Sequence, residues 1–436
     1  MERKVDAVII GAGIMGTAIA FELGKRGYKP LVLDKLPAAG YGSTSNTCAI
    51  IRTHYSTLEG TAIAYEGYFY WKDWKNYLGD EDERGFARFM ETGMILIKDK
   101  TFDLRGKHLD HHDVLKIPYE EWNHEKLKER MPLFDHQSYY PPKRPENEEF
   151  WGEPKEKIPG ATFFPTAGYI NDPQLSVHNI QRAAEKNGAE FLFNTEVIDI
   201  RKTEEKVIGV TLNGGEEIDA PVVVNAAGPH SFLINRLAGI EGRMKIKTRA
   251  LRHEVHFVPS PKGFDYEKNG FVTSDGDAGG YHRPETGNTI LLGSEDPACD
   301  PQEWVEDPDN FNREVTTKQW KAQVYRLARR IQNLSIPNQP KGVVDLYDVT
   351  DDWIPIYDKS DLNGFYLAIG TSGNQFKNGP VVGQLMAELI EACEKGHDHD
   401  GNPVQMKCKY IDFTLNIGIF SRLREVIEDS TFSVLG

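Results

Sequence analysis

The chain has 436 residues, 39% apolar and 27% charged, and Lys+Arg 51 against Asp+Glu 66 leaves a net charge of -15. That length suffices for a large core and predicts two domains, while the acidic balance argues against a nucleic-acid partner and against binding an anionic membrane surface. No apolar stretch approaches a membrane span, and the first residues run into a strand without a secretory signal, so a cytoplasmic protein is expected.

Residues 8–10, Val-Ile-Ile, suit a parallel strand buried on both faces. Gly11, Gly13 and Gly16 follow in GxGxxG spacing. The first glycine permits the tight turn, the second lets backbone approach a pyrophosphate, and the third lets a helix pack on the strand. Ile14 and Met15 open that helix, whose N-terminal N–H groups favour phosphate. Residues 31–33 form the next strand, and Asp34, followed by Lys35, stands at its end, where ribose hydroxyls are bound. The complete strand–helix–strand unit assigns a dinucleotide, and its place at the start of a long chain leans towards FAD. There is no second GxGxxG, so no NAD site is expected.

"YGSTSNTCAIIRTHY" begins as a polar loop whose Ser43, Thr44, Ser45, Asn46 and Thr47 are assigned to the cofactor. It then sets Arg52 behind three apolar residues, where a guanidinium must be paired. Arg52 awaits a ligand carboxylate, or it meets an internal acid or a cofactor phosphate. Residues 136–160, rich in proline and acid, read as an irregular surface excursion. Residues 173–187 read as an amphipathic helix, followed by a strand containing Val197, also assigned to the cofactor, and a hairpin turning at Asn213-Gly214-Gly215.

The strand at 221–224 ends in Asn225 and the small residues Ala226, Ala227 and Gly228, which let backbone press against a flat cofactor or simply turn into a loop. Residues 251–258 and 289–296 pattern as strands of a second, antiparallel sheet, and residues 300–320 as another insertion. The strand at 365–369 leads into Gly373, Asn374, Gln375, Phe376 and Lys377, then into a helix begun by Pro380. Its N-terminus suits the anion of a reduced flavin.

These elements predict an α/β chain. A discontinuous Rossmann-type FAD-binding domain takes residues 1–85, 160–245 and 335–436. A mainly antiparallel β-sheet substrate domain (α+β) is inserted as residues 86–159 and 246–334. Cys48, Cys299, Cys393 and Cys408 have no CxxC spacing and read as reduced thiols. His397 and His399 read as a solvated loop, and no metal is expected.

In order and spacing, "GAGIMG" with Asp34, "NTCAIIRTHY", "TAGYINDP", "VVVNAAG", "YHRPETGNTILLG" and "GFYLAIGTSGNQFKNGP" resemble the D-amino-acid-oxidase-like flavoproteins, especially the sarcosine oxidases and dimethylglycine dehydrogenases. The resemblance implies FAD-dependent oxidation of the C–N bond of a carboxylate-bearing secondary or tertiary amine, an N-methyl or cyclic amino acid, by hydride transfer to the flavin. It matches Arg52 and Lys377 to the pair that holds the substrate carboxylate, and Tyr281 and Tyr347 to tyrosines near the substrate. On their own chemistry Lys377 also suits a solvated loop, and the tyrosines suit packed aromatics. His54 and His282 are candidate bases, though a neutral amine needs none.

Departures from the family pattern refine this. Residues 344–347 hold no thiol and residues 42–46 no histidine, where relatives tether FAD, so noncovalent FAD is expected. Leu291 stands where oxidases carry an oxygen-activating lysine, so the electron acceptor is O2 or another redox carrier. Segments like "NTCAIIRTHY" in β subunits of heterotetrameric sarcosine oxidases imply a possible partner subunit or oligomer. The alternatives are a 2-hydroxy-acid dehydrogenase on the same scaffold and a noncatalytic flavin-binding subunit of a larger complex.

Overall fold

A computed structural model describes residues 3–79, 82–99 and 108–436. Its organising element is a six-stranded sheet in the order Glu190–Leu192, Pro30–Leu33, Ala7–Ile10, Val222–Asn225, Phe365–Ile369, Ile356–Lys359. The first five strands are parallel and the last is antiparallel. The central strands read as continuous apolar runs because the sheet is covered on both faces. On one face Ile9, Val32 and Val224 meet the helices Ile14–Lys25, Pro173–Lys186 and Gly379–Glu394. On the other, Val8, Leu31 and Val223 meet Val210 and Ile218 of a four-stranded sheet.

Helix ends follow their local chemistry. Asp172 caps Pro173–Lys186 by accepting the Leu175 N–H, and proline sits in the first turn. Asn187 is the C-cap of that helix.

A nine-stranded sheet forms a second layer, in which the one parallel pairing joins Met94–Ile97 to Val272–Asp275. Its longest strand, Thr248–Pro259, pairs with Thr289–Ser294 and with Gly342–Thr350. Ala161–Phe164 also pairs in this sheet. The helix Thr317–Arg330 closes its outer side through Trp320, Val324 and Leu327 on Val258, Ile290 and Leu292.

Between the layers, Ile50–Ile51 and Phe89–Met90 flank Gly168–Ile170. A Cβ at Gly168 would lie 2.0 Å from Met90 O, which accounts for the glycine of "TAGYI". Residues 136–160 contain the short helix Glu148–Trp151, and residues 300–320 the strand Glu303–Val305.

The terminal histidines differ from expectation. His399 is buried, its Nε2 3.4 Å from Asp358 Oδ1, because Arg422 gathers Asp358 and Asp400 around it. His397 is half-buried and bonds Asn402 O. Among the described residues one His/Asp/Glu group has metal-ligand spacing, Asp82, Glu83 and His178. The four cysteines are unpaired, and among the described residues no helix is long and apolar enough to cross a membrane.

Candidate active site

The strands of the six-stranded sheet end at a cavity of about 740 Å³, where open α/β sheets bind ligands. Gly11 donates its N–H to Leu33 O (2.8 Å) at a φ of +106°, and a Cβ there would lie 2.3 Å from Ala226 O. A Cβ on Gly16 would lie 1.9 Å from Gly11 O, so Gly16 seats the helix on the strand and does not itself line the cavity. Gly13, Ile14 and Met15 line it at the helix N-terminus.

Asp34 accepts the N–H groups of Ala12 (2.7 Å) and Leu36 (2.9 Å), and burial raises its pKa. Thr44 Oγ1 accepts the Ile14 N–H (3.3 Å). Ser43 donates to Leu346 O (2.9 Å) and Asn46 to Asp345 (2.7 Å), joining the polar loop to the second sheet. Ser43, Thr44, Asn46 and Thr47 line the cavity, as do Val197, Ala226, Ala227 and Gly228. Ser45 does not: its hydroxyl turns back onto Gly42 O (2.9 Å). Lys35 pairs with Asp309 (2.5 Å), which also meets His230 (3.0 Å), and all three line the cavity.

At the other end Arg52 is 5% exposed and Lys377 3%. Arg52 donates to the carbonyls of His54, Val434 (2.8 Å) and Leu435 (2.8 Å), and its guanidinium lies 4.2 Å from the centre of the Tyr55 ring. Three of its five N–H groups are thus used and two remain. Lys377 Nζ donates to Tyr55 Oη (2.7 Å) and Asn374 O (2.6 Å), leaving one ammonium proton. Trp71 Nε1 fixes the Lys377 carbonyl at 2.7 Å. Among the described residues neither cation has a carboxylate partner within 4.0 Å. Burial lowers the pKa of Arg52, and burial followed by the charge of Arg52 lowers that of Lys377 far below its usual value.

Tyr281 and Tyr347 line the same end. Tyr281 Oη lies 3.1 Å from Cys48 Sγ, and burial holds both groups protonated by raising their pKa values. Tyr347, also raised by burial, stacks on His253 with ring centres 4.1 Å apart. A Cβ at Gly373 would lie 2.4 Å from the Tyr347 ring. Gly373, Asn374, Gln375 and Phe376 complete the wall beside Lys377.

Neither candidate base reaches the cavity. His54 is buried against Phe164 with no hydrogen-bond partner on either nitrogen, and burial lowers its pKa well below 6.5. His282 packs beside Phe134 and Tyr266, its pKa lowered by burial to about 4. Leu291 is buried away from the cavity.

Residue-by-residue reading missed Tyr55, His253 and Glu295. Tyr55 closes the stretch that holds Arg52, whereas nothing local distinguishes Glu295 from the other acids.

The donor set fits FAD. Asp34 faces the cavity with only two backbone donors on its carboxylate, the helix N-terminus is placed for a pyrophosphate, and the buried Asn374 Nδ2 has no partner. Residues 6–389 match the FAD dependent oxidoreductase family. The chain is 24% identical over 400 residues to sarcosine oxidase subunit beta of Rhodobacter capsulatus, covering 89% of this chain and 85% of that one. It is 23% identical over 412 residues to glycine oxidase of Geobacillus kaustophilus, covering 91% and 96%. The solved structure of L-proline dehydrogenase from P. horikoshii superimposes with a TM-score of 0.74 at 22% identity, over 97% of this chain and 98% of that one. With its Rossmann-type layer, its cofactor cavity and a family match over most of its length, this chain belongs to the FAD dependent oxidoreductase family and is an FAD-binding oxidoreductase.

Proposed function

We propose that the protein oxidises the C–N bond of a carboxylate-bearing secondary or tertiary amine, an N-methyl or cyclic amino acid. One observation carries this reading: two buried basic side chains, Arg52 and Lys377, share Tyr55 at the end of the cavity with no acid in contact among the described residues. A buried cation without a counter-ion is costly, and an incoming carboxylate offsets that cost. The sarcosine, glycine and proline enzymes among the relatives support an amino-acid-like substrate.

The remaining N–H groups of Arg52 and the remaining proton of Lys377 receive the carboxylate and set the substrate's orientation. Tyr281 and Tyr347, held protonated, present hydroxyls to the substrate and, with Val434 and Leu435, keep water out. FAD, when bound, supplies the two-electron acceptor for hydride from the carbon beside nitrogen. Neither His54 nor His282 reaches the cavity, so the bound ammonium loses its proton before hydride leaves and the rate rises with pH through the amine's pKa.

We infer noncovalent FAD, since Cys48, the thiol that lines the cavity, is held in its unreactive protonated form. The four unpaired cysteines support a cytoplasmic setting. A second reading rests on the relative named as a subunit: the chain turns over only with a partner chain.

The test is anaerobic mixing with N-methyl amino acids, proline and 2-hydroxy acids while flavin absorbance is followed. Bleaching by an amine, reversed by air or an artificial acceptor, supports the proposal and identifies the acceptor. Bleaching by hydroxy acids alone replaces it, and no bleaching until a partner is added favours the second reading.

A further inference from the structure

A buried acid faces the same end of the cavity. Glu295, 7% exposed, lies on the roof sheet just beyond the strand Thr289–Ser294 and lines the cavity together with Arg52, Ser274 and Tyr281. Ser274 Oγ donates to its Oε1, and among the described residues no donor reaches Oε2 and no cation forms an ion pair with it. Nearby buried acids are already committed: Asp275 to Arg330 (2.7 Å), and Asp348 to the Gly370 N–H (2.7 Å) and Thr371. The groups facing Glu295 are Ser274, Asp275, Asp99 and Arg52, and burial, which outweighs them, pushes its carboxyl up to about 8.

A carboxyl with one donor and no counter-ion is as incomplete as the two cations opposite it. A ligand that is only an anion satisfies Arg52 and Lys377 and leaves Glu295 unmatched. A ligand carrying a positive nitrogen beside its carboxylate satisfies both ends of the cavity.

We propose that Glu295 is a specificity residue whose carboxylate accepts the N–H of the substrate's amino nitrogen while Arg52 and Lys377 hold the substrate's carboxylate, so that the site selects a zwitterion. This rests on the carboxylate reading given above and sharpens it. The selection disfavours 2-hydroxy acids, which bring no cation.

The test uses two probes that the enzyme cannot oxidise at the carbon beside nitrogen. 2-Aminoisobutyrate has no hydrogen on that carbon, and isobutyrate is the same acid without the amine. Calorimetric titration of the holoenzyme should show 2-aminoisobutyrate binding at least about tenfold more tightly than isobutyrate, the scale of one charge-assisted hydrogen bond. Glu295→Gln should abolish that preference and leave isobutyrate affinity equal or higher. In the wild-type protein the preference should grow as pH rises through about 8, because Glu295 ionises while an aliphatic ammonium keeps its charge.

If isobutyrate binds and the preference survives in Glu295→Gln, this inference falls alone. If neither acid binds the wild-type holoenzyme, the carboxylate reading falls and takes this inference with it. Should the variant fail to fold, the wild-type series decides, and a preference flat across pH overturns the proposal.

Discussion

Lys377→Met separates what the lysine does for binding from what it does for folding. Methionine keeps the length and apolar body of the side chain and removes the ammonium held by Tyr55 Oη (2.7 Å) and Asn374 O (2.6 Å). The partners left behind still satisfy each other, since Tyr55 donates to Asn374 O at 2.7 Å. Losing one charge-assisted hydrogen bond to a carboxylate costs about 1.5–3 kcal/mol, so the Kd for isobutyrate should rise roughly 10- to 150-fold. Stability should move the other way, or not at all, because a buried amine whose charged form burial disfavours has been deleted.

The sign of the pH effect follows from the lysine's depressed pKa. Between its folded and unfolded values the unfolded chain binds the extra proton, so wild-type stability rises with pH there and is lowest below the folded value. The methionine variant should lose that slope. A bound carboxylate raises the pKa of Lys377, so binding takes up a proton and affinity falls as pH rises; the variant should lose this dependence too. Calorimetry at several pH values and thermal unfolding read both effects. An unchanged Kd with an unchanged pH slope would refute the reasoning.

Arg52→Gln should weaken isobutyrate at least about tenfold and also release the carbonyls of Val434 and Leu435, so that limited proteolysis cuts within residues 428–436 sooner than in the wild type. Gly11→Ala places a Cβ against Ala226 O in backbone that favours glycine, and soluble variant should carry roughly a tenth of the wild-type flavin or less; full occupancy would sink that account. Acid precipitation should leave all the flavin in the supernatant, and colour retained in the pellet would establish a covalent bond. His54→Phe fills the same stack on Phe164 and should alter the rate of flavin reduction by less than about twofold while stabilising the fold by about 1–2 kcal/mol. That gain should grow as pH drops below 6.5, since the unfolded histidine then binds a proton that the buried one refuses.

What was legible in the chain was what depends on short covalent spacing. The turn at Gly11, the acid at Asp34 and the helix start after Lys377 are local patterns, and each lies where the strand order brings it to the cavity. Arg52 was conspicuous for its apolar company, yet two of its three partners are carbonyls 382 and 383 residues away, which no local rule reaches. Glu295 gains meaning only through what it fails to meet in three dimensions. Ser45 sits in the right loop but on the wrong side of a turn, a distinction of one residue that composition does not carry. His399 looked solvated beside its acidic neighbours, and it is Arg422 that draws those acids inward.

The bridge from Lys35 to Asp309 and His230 lies in the cavity wall and ties the strand end that holds Asp34 to the 300–320 segment. None of its three residues touches Arg52, Lys377 or Tyr55. Each exposed pair is worth only about 0–1 kcal/mol and is screened over about 10 Å at 0.1 M salt. Raised ionic strength should therefore weaken the tie between the 300–320 segment and the strand end at Asp34, while the buried contacts of Lys377 and Tyr55 are screened far less.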